Sequence, residues 1–317
     1  MNQPTESKHP QLPRIVIAGG SGFIGRGLSA MFVARGHEVV VLTRNARAAS
    51  GSVRWAVWDG ASVGDWANEL EGATAVINLA GHTINCPHTS RNQKLIVESR
   101  VNSVRAVTEA IRRCQRPPGV LVQGSAVGFY GDTGATPCDE ASPNGRGFRA
   151  EACRAWEGAL DPATLPATRC VTLRTGVLLG RDGGALPMLV RLTRWFLGGA
   201  VGDGQQFISW IHQQDFNRIV FAAVENKNWR GVFNATAPNP ATNAGFMREL
   251  RRALHRPWSP PAPAFAVRLF APLLGTDASL ALESQRVVPG RLLASGFEFQ
   301  FPNFREAVAD VLGGKSH

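Results

Sequence analysis

Through its first half the chain alternates short apolar runs with stretches whose apolar positions recur at helical spacing. Ile15-Val16-Ile17 is a β-type run, and after a glycine-rich turn Ile24, Leu28, Met31 and Phe32 define one face of a helix that ends by Gly36. Glu38-Val39-Val40-Val41-Leu42-Thr43 is a second strand, and Val53 to Val57 a short third one running out at Asp59. Val63 to Leu70 reads as a helical link, and Ala75 to Gly81 as a buried strand entering a small-residue turn. A long helix is expected from about Ser90 to Cys114, with Val97, Val101, Val104 and Ile111 on one face and Pro117-Pro118 as its stop. Val120-Leu121-Val122 gives a fifth strand leading to Gly124-Ser125. A helix around Arg149 to Leu160 and a sixth strand, Cys170 to Leu173, follow. Strands alternating with helices predict an α/β fold, a doubly wound parallel sheet of Rossmann type covered on both faces.

Beyond Arg174 the rhythm breaks. Gly180 to Gly184 reads as a loop and Ala185 to Leu197 as a helix, followed by a glycine-rich stretch from Gly198 to Gly204. Gln213 to Glu225 is helical, Val232-Phe233-Asn234 a last strand, and Thr242 to Leu254 another helix before the proline-rich connector Pro257 to Pro263. The expected division is a disordered leader at 1–13 and a dinucleotide-binding domain at 14–175 with returns around 205–236. A smaller, mainly helical C-terminal subdomain, built from 176–204 and 237–317, covers the substrate side of the sheet's carboxyl edge.

The turn Ala18-Gly19-Gly20-Ser21-Gly22-Phe23-Ile24-Gly25 lies between the first strand and the first helix, where a dinucleotide site needs it. Gly19 would allow the tight turn, Gly22 would leave room for a pyrophosphate, and Gly25 would let helix and strand approach closely. The helix N-terminus then offers free N–H groups and a positive dipole end to the phosphates. At the end of the second strand an acidic residue would hold the ribose hydroxyls of NAD. This chain has Thr43-Arg44-Asn45 there, with Arg47 close by. A guanidinium at Arg44 suits the 2′-phosphate of NADP, and NADP is the cofactor expected.

Composition narrows the remaining classes. A hydrophobic fraction of 44% with 18% charged residues fits a globular protein. The net charge of +10 raises nucleic acid as a partner, but the arginines are dispersed without a lysine-rich tail or an aromatic-plus-basic motif, so none is expected. No membrane partner is expected either. The longest apolar candidate, near Phe265 to Leu274, is broken by Arg268 and Pro272, and residues 1–12 lack an apolar signal core, which suggests a cytoplasmic location. The five cysteines are scattered with no Cys-x-x-Cys pair, so neither a disulfide framework nor a zinc site is indicated.

With these positions fixed, the sequence resembles the extended short-chain dehydrogenase/reductases, and more narrowly their atypical group similar to nucleoside-diphosphate-sugar epimerases. The resemblance runs from Arg14 to about Leu312. It rests on Gly19 to Gly25, Asn78-Leu79-Ala80-Gly81, Glu98-Ser99-Arg100-Val101, Gly124 to Asp132 and Leu173 to Gly180. Ser209-Trp210-Ile211-His212 with Asp215, Asn234 to Pro238, Glu283 to Val287 and Gly296-Phe297 extend it, the last two resembling the small uncharacterised domain that closes this subgroup. The resemblance implies cofactor contacts from Gly19, Gly20, Ser21, Gly22, Phe23, Ile24, Gly25, Arg44, Leu79, Ala80, Gly81 and Arg100. Asp59 is similar to the family's adenine-contacting position; an ordinary strand-ending aspartate is the other reading. A small-molecule substrate is implied, with a phosphorylated or nucleotide-linked sugar among the candidates, and self-association is compatible with it.

The chemistry departs from the wider family's. Those enzymes use a tyrosine whose phenolate is favoured by a lysine four residues on, because an unassisted phenol titrates near 10. Here the only tyrosine is Tyr130, with Gly134 at the fourth position after it. Aligning the helix on Trp156-Glu157 puts Arg149 in the tyrosine's place and Cys153 in the lysine's, while Ser125 is retained and Arg100 replaces the usual asparagine. The catalytic candidates are therefore Ser125, Tyr130 and Cys153. Tyr130 is either an acid helped by cationic neighbours or an aromatic wall, and Cys153 either a reactive thiol or a space-filler. Arg174 is open to an anionic substrate group or a salt bridge and Asp215 to a first-turn role at a helix start, while the resemblance implies that Trp210 and His212 support the cleft. An NADP-dependent oxidoreductase or epimerase-like enzyme with an altered centre is the expected function; a non-catalytic NADP-binding regulator is the alternative.

Overall fold

The computed structural model of the protein describes residues 12–45 and 51–313. Most of the expected leader, and Arg47, lie outside the described residues. The strands are β1 (Arg14–Ala18), β2 (Glu38–Thr43), β3 (Val53–Val57), β4 (Ala75–Asn78), β5 (Val120–Ala126), β6 (Arg169–Thr175), β7 (Val177–Leu179), β8 (Phe207–Ile208), β9 (Trp210–His212), β10 (Gly231–Ala235) and β11 (Ala241–Thr242). Seven of them form one parallel sheet in the order β10-β6-β5-β4-β1-β2-β3. The chain starts in the middle, winds out through β2 and β3, then returns to build the other half from β4. The reversal between β1 and β4 opens a crevice at the strands' carboxyl ends.

Both faces of the sheet are buried, which is why its strands read as continuous apolar runs. Along β1, Ile15 and Ile17 pack with Leu28 and Phe32 of α1 (Phe23–Ala34), and Val16 and Ala18 join the opposite face with Val107 and Ile111 of α2 (Ser90–Arg113). Helix α3 (Phe148–Gly158) lies beside α2. Helices α4 (Leu186–Arg194), α5 (Gln213–Glu225), α6 (Asn243–Ala253) and α7 (Ala264–Phe270) follow, then short α8 (Ser279–Leu282), α9 (Gly290–Ala294) and α10 (Phe304–Gly313). Helix α5 returns to the face held by α1, burying Phe216, Ile219 and Val220 there. At its far end the buried Arg169 donates to the carbonyls of Ala223, Val224 and Trp229 at 2.8–2.9 Å, placing a cation where the helix leaves carbonyls unpaired. A separate core joins Leu179, Leu186, Trp210, Phe246, Leu250, Phe304 and Val308, so the last helix folds back onto α6.

Five local expectations change. The fifth strand runs through Ala126, so Gly124 and Ser125 lie within it, and the strand after Ala75 stops at Asn78. The helical link is a 3-10 segment confined to Asp65–Leu70. Two three-residue strands, β7 and β9, pair in parallel beyond the main sheet, where no alternating pattern announces them. Asp215 does more than favour the start of α5: fully buried, it accepts from the amides of Gln300 and Phe301 at 2.9 and 2.8 Å and so fastens the C-terminal segment to the helix.

Candidate functional site

The glycine-rich turn owes its shape to three different constraints. Gly19 has φ +77°, and a Cβ there would sit 2.9 Å from the backbone of Leu79 and Ala80. A Cβ on Gly25 would lie 2.3 Å from Gly20 Cα, so the first helical turn and the strand-end turn can touch only without one. Gly22 differs. Its φ is −75°, and an added Cβ would meet nothing nearer than Gly19 O at 3.4 Å. Neither strain nor internal crowding calls for glycine at this position; the space beside it is a cradle that a side chain would fill. The first bond into α1 is donated by Arg26 to Gly22 O at 3.0 Å, leaving the amides of Phe23, Ile24 and Gly25 ahead of it at the helix's positive end. The Phe23 ring itself turns away and packs on the glycines at 180, 183 and 184.

In front of this turn is a cavity of about 460 Å³, lined among others by Gly19, Ser21, Gly22, Arg44, Asp59 and Gly81. The ends of β2 and β3 supply Thr43, Arg44, Trp58 and Asp59, and the β4 turn supplies Leu79 and Ala80. Asp59 Oδ1 accepts from the amides of Ala61 and Ser62 at 2.8 Å, and the Ser62 hydroxyl also bonds to this carboxylate. Those bonds, the Ser62 hydroxyl's first, bring its pKa down to about 2. Asn78 braces the β4 turn: its Nδ2 donates to Gln123 Oε1 at 3.0 Å and its Oδ1 accepts from Ala80 N at 3.2 Å. Leu95, Ser99 and Asn102 on α2 and His82 complete the wall, and sequence reasoning did not single them out as site residues.

Arg100 lies behind that wall. Its Nη1 donates to His82 O at 2.9 Å and Ile96 O at 3.0 Å, and its guanidinium stands 4.9 Å from the Trp156 ring centre. Burial lowers its pKa. These bonds position the His82 loop.

The three catalytic candidates come together around one carboxylate that sequence reasoning used only to align a helix. Ser125 Oγ donates to Glu157 Oε1 at 2.6 Å. Arg174 grips the same group with Nε on Oε1 and Nη2 on Oε2, both at 2.8 Å, and its Nη1 donates to the Tyr130 hydroxyl at 2.9 Å. Tyr130 in turn donates to Asn234 Oδ1 at 2.8 Å. The fork-to-carboxylate geometry is the strong form of such pairing. Burial lowers the Arg174 pKa, but the bonds and charges of Glu157 and Tyr130 outweigh it and leave the pKa raised. Arg174 is thus a salt-bridging residue here, with its charge already neutralised by Glu157.

Tyr130 is 3% exposed, and burial pushes its phenol up to about 12 against the opposing pull of Arg174. It is therefore a buried bridge between β6 and β10, neither a cleft wall nor an acidified phenol. Cys153 is buried on α3, one turn before Glu157; burial first, then the Glu157 charge, raises its thiol to about 11. Arg149, one turn earlier, pairs with Glu283 at 3.0 Å and donates to Gln285 at 2.8 Å, tying α3 to the C-terminal region. Arg149, Cys153 and Glu157 recur every four residues on one helix face, and that spacing was the available signal for Glu157. His212 Nδ1 accepts from Gln214 N at 3.2 Å as the N-cap of α5, and burial lowers its pKa.

A doubly wound sheet with a glycine cradle at its switch point defines a nucleotide-binding α/β protein. The chain belongs to the NAD dependent epimerase/dehydratase family, whose model matches residues 15–235. A domain of unknown function, DUF1731, matches residues 262–311. The chain is 37% identical over 303 residues to the Arabidopsis thaliana epimerase family protein SDR39U1 homolog, chloroplastic, covering 94% of this chain and 86% of that protein. It is 36% identical over 306 residues to the mouse epimerase family protein SDR39U1, covering 94% and 99% respectively. The crystal structure of human SDR39U1 (isoform 2) with NADPH superposes with a TM-score of 0.84 at 32% identity, covering 95% of this chain and all of that one. No helix among the described residues is long and apolar enough to cross a membrane.

Proposed function

We propose that the protein binds NADP(H) in the glycine-turn cavity and acts as an oxidoreductase or epimerase-like enzyme on a small polar metabolite. A phosphorylated or nucleotide-linked sugar is the class we favour. The observation that carries the cofactor reading is Gly22, whose open side faces the cavity without any structural need for glycine. The amides of Phe23, Ile24 and Gly25 would hold the pyrophosphate, Arg44 a 2′-phosphate, and Asp59 and the Leu79–Gly81 turn the adenosine side. Human SDR39U1, solved with NADPH, supports the choice of cofactor.

Bound there, the nicotinamide would supply or accept a hydride. The chain's own part is then to orient a substrate oxygen and manage its proton without a lysine-assisted phenolate. Ser125, near the carboxyl end of β5, is the donor we assign to that oxygen: its hydroxyl, held on Glu157 in the free protein, would turn to the substrate, while Arg174 grips the carboxylate it leaves. A metabolite library screened for NADPH oxidation or NADP reduction by the purified protein tests this reading.

One observation favours a second reading, an NADP-binding regulator without turnover. Tyr130 and Cys153 are both buried with proton affinities far above neutrality, so neither supplies an acid or base matched to pH 7. Tight NADP binding that changes association with another protein, with no turnover in the screen, would select it.

A further inference from the structure

Nine of the thirteen large apolar side chains that stand exposed among the described residues belong to two segments, 195–197 and 258–274. Trp195 is 75% exposed, Trp258 66%, Phe265 72% and Leu273 79%. None of the seven residues of α7 is buried, although Arg268 is its only polar side chain. Isolated exposed leucines are ordinary; this concentration is not.

The two segments are laced together. Gly202 N donates to Ala262 O at 2.9 Å and Ala262 N to Ala200 O at 2.8 Å, while Arg256 Nε donates to Arg194 O at 3.3 Å with its guanidinium 5.0 Å from the Phe196 ring centre. A Cβ on Gly199 would collide with Pro260 O, so the backbones are in direct contact.

Charge says what can cover them. Residues 186–202 and 250–276 carry Arg191, Arg194, Arg251, Arg252, Arg256 and Arg268, and the acids at their borders, Asp203, Glu249 and Asp277, are bonded to Gln205 N, Arg252 and Ser279 N. Arg252 pairs with Glu249, but no carboxylate pairs with Arg191, Arg194, Arg256 or Arg268 among the described residues. A second copy seated symmetrically on this surface would set arginines against arginines. Tryptophans, phenylalanines and leucines with arginine heads among them match the boundary of an anionic bilayer, where rings and aliphatic stems enter the acyl edge and guanidinium groups reach the phosphates.

We propose that residues 195–197 and 258–274 form a peripheral docking surface for anionic membranes. This revises the expectation of no membrane partner, which rested on the interruption of the Phe265–Leu274 run by Arg268 and Pro272. Those interruptions exclude a span and are compatible with lying in the interface.

The test is co-sedimentation of the full chain with phosphatidylcholine vesicles, alone or with about a third phosphatidylglycerol. The anionic vesicles should carry the protein down, and the neutral ones should carry at least tenfold less, on the scale of about fivefold per arginine engaged. Raising salt from about 50 mM to about 500 mM should weaken binding, because the Debye length falls severalfold. Phe265→Ser combined with Leu273→Ser should weaken it at least tenfold with an unchanged circular dichroism spectrum, since both side chains are largely outside the core. Equal recovery in the supernatant with and without anionic vesicles overturns the proposal. So does light scattering that shows the chain self-associating, the same double variant monomeric, and vesicle binding unaltered.

Discussion

Ser125 donates a hydrogen bond to Glu157 Oε1 across 2.6 Å, linking the end of a central strand to a helix thirty-two residues further along. The same carboxylate takes two bonds from Arg174, whose side chain is 6% exposed beside 15% for Glu157. The centre is therefore a buried charge pair with a serine attached. Its worth is greatest when intact, because removing one member strands the other charge away from water. Arg174→Leu should lower unfolding free energy by about 3–5 kcal/mol, the usual cost of breaking a buried pair. Urea denaturation checks this, and a loss below about 1 kcal/mol would mean that water reaches Glu157 freely.

Much of this arrangement could be read from the chain and part could not. Helix α5 at Gln213–Glu225 and strand β2 at Glu38–Thr43 fall where the sequence periodicity put them, because each has a clear period and a marked boundary. The pair β7 and β9 could not be foreseen, since three residues do not make a pattern. The same limit hid the chemistry. Ser125 was legible as a retained position, but its partner comes from another element, and Tyr130 meets Asn234 across 104 residues. A glutamate on an amphipathic helix reads as solvent-facing until Arg174 arrives beside it from β6.

The glycines of the turn separate binding from folding. Gly22→Val adds bulk where the structure is open, so the protein should fold normally and lose dinucleotide binding. Gly25→Ala puts a Cβ against Gly20 and should destabilise the fold by about 1–3 kcal/mol. Thermal unfolding together with titration calorimetry distinguishes the two. Normal binding by folded Gly22→Val would move the site elsewhere.

Cofactor preference should follow Arg44. It lines the cavity just after β2, whose last residue is Thr43 and not a carboxylate. NADP(H) should bind more tightly than NAD(H), and Arg44→Ala should narrow the gap by about 1–3 kcal/mol, the size of a charge-assisted contact. Equal affinities in the unaltered protein, measured by calorimetry, would contradict this.

Thiol labelling offers a pH-dependent check. The thiol of Cys153 is held near pKa 11, above its usual value, so the protonated form dominates until the pH rises towards 11. At neutral pH roughly one molecule in ten thousand carries the thiolate. Under native conditions iodoacetamide should reach the half-buried Cys86 well before the buried Cys153 and Cys170, as peptide mass spectrometry would show. Early labelling of Cys153 would restore it as a reactive group.

The sharpest prediction ranks the candidates at the altered centre. Whatever turnover a metabolite screen uncovers, its proton handling cannot use Tyr130, which is locked between Arg174 and Asn234 with its phenol near 12. It cannot readily use Cys153 either, which lies buried behind Ser125's partner on α3. Ser125 is the remaining candidate: it is 4% exposed, but its hydroxyl needs only to rotate off Glu157 to donate to a substrate oxygen beyond the end of β5. Removing a donor aimed at developing charge raises a barrier by about 2–4 kcal/mol. Ser125→Ala should therefore slow turnover about a hundredfold or more, while Cys153→Ala should stay within about tenfold, a barrier change below roughly 1.4 kcal/mol. NADP(H) affinity should barely change in either variant, because neither side chain belongs to the glycine-turn cavity. Steady-state rates and cofactor titrations on the two variants, side by side, decide the matter. An inactive Cys153→Ala beside a near-normal Ser125→Ala would reverse the assignment and make the thiol the reacting group.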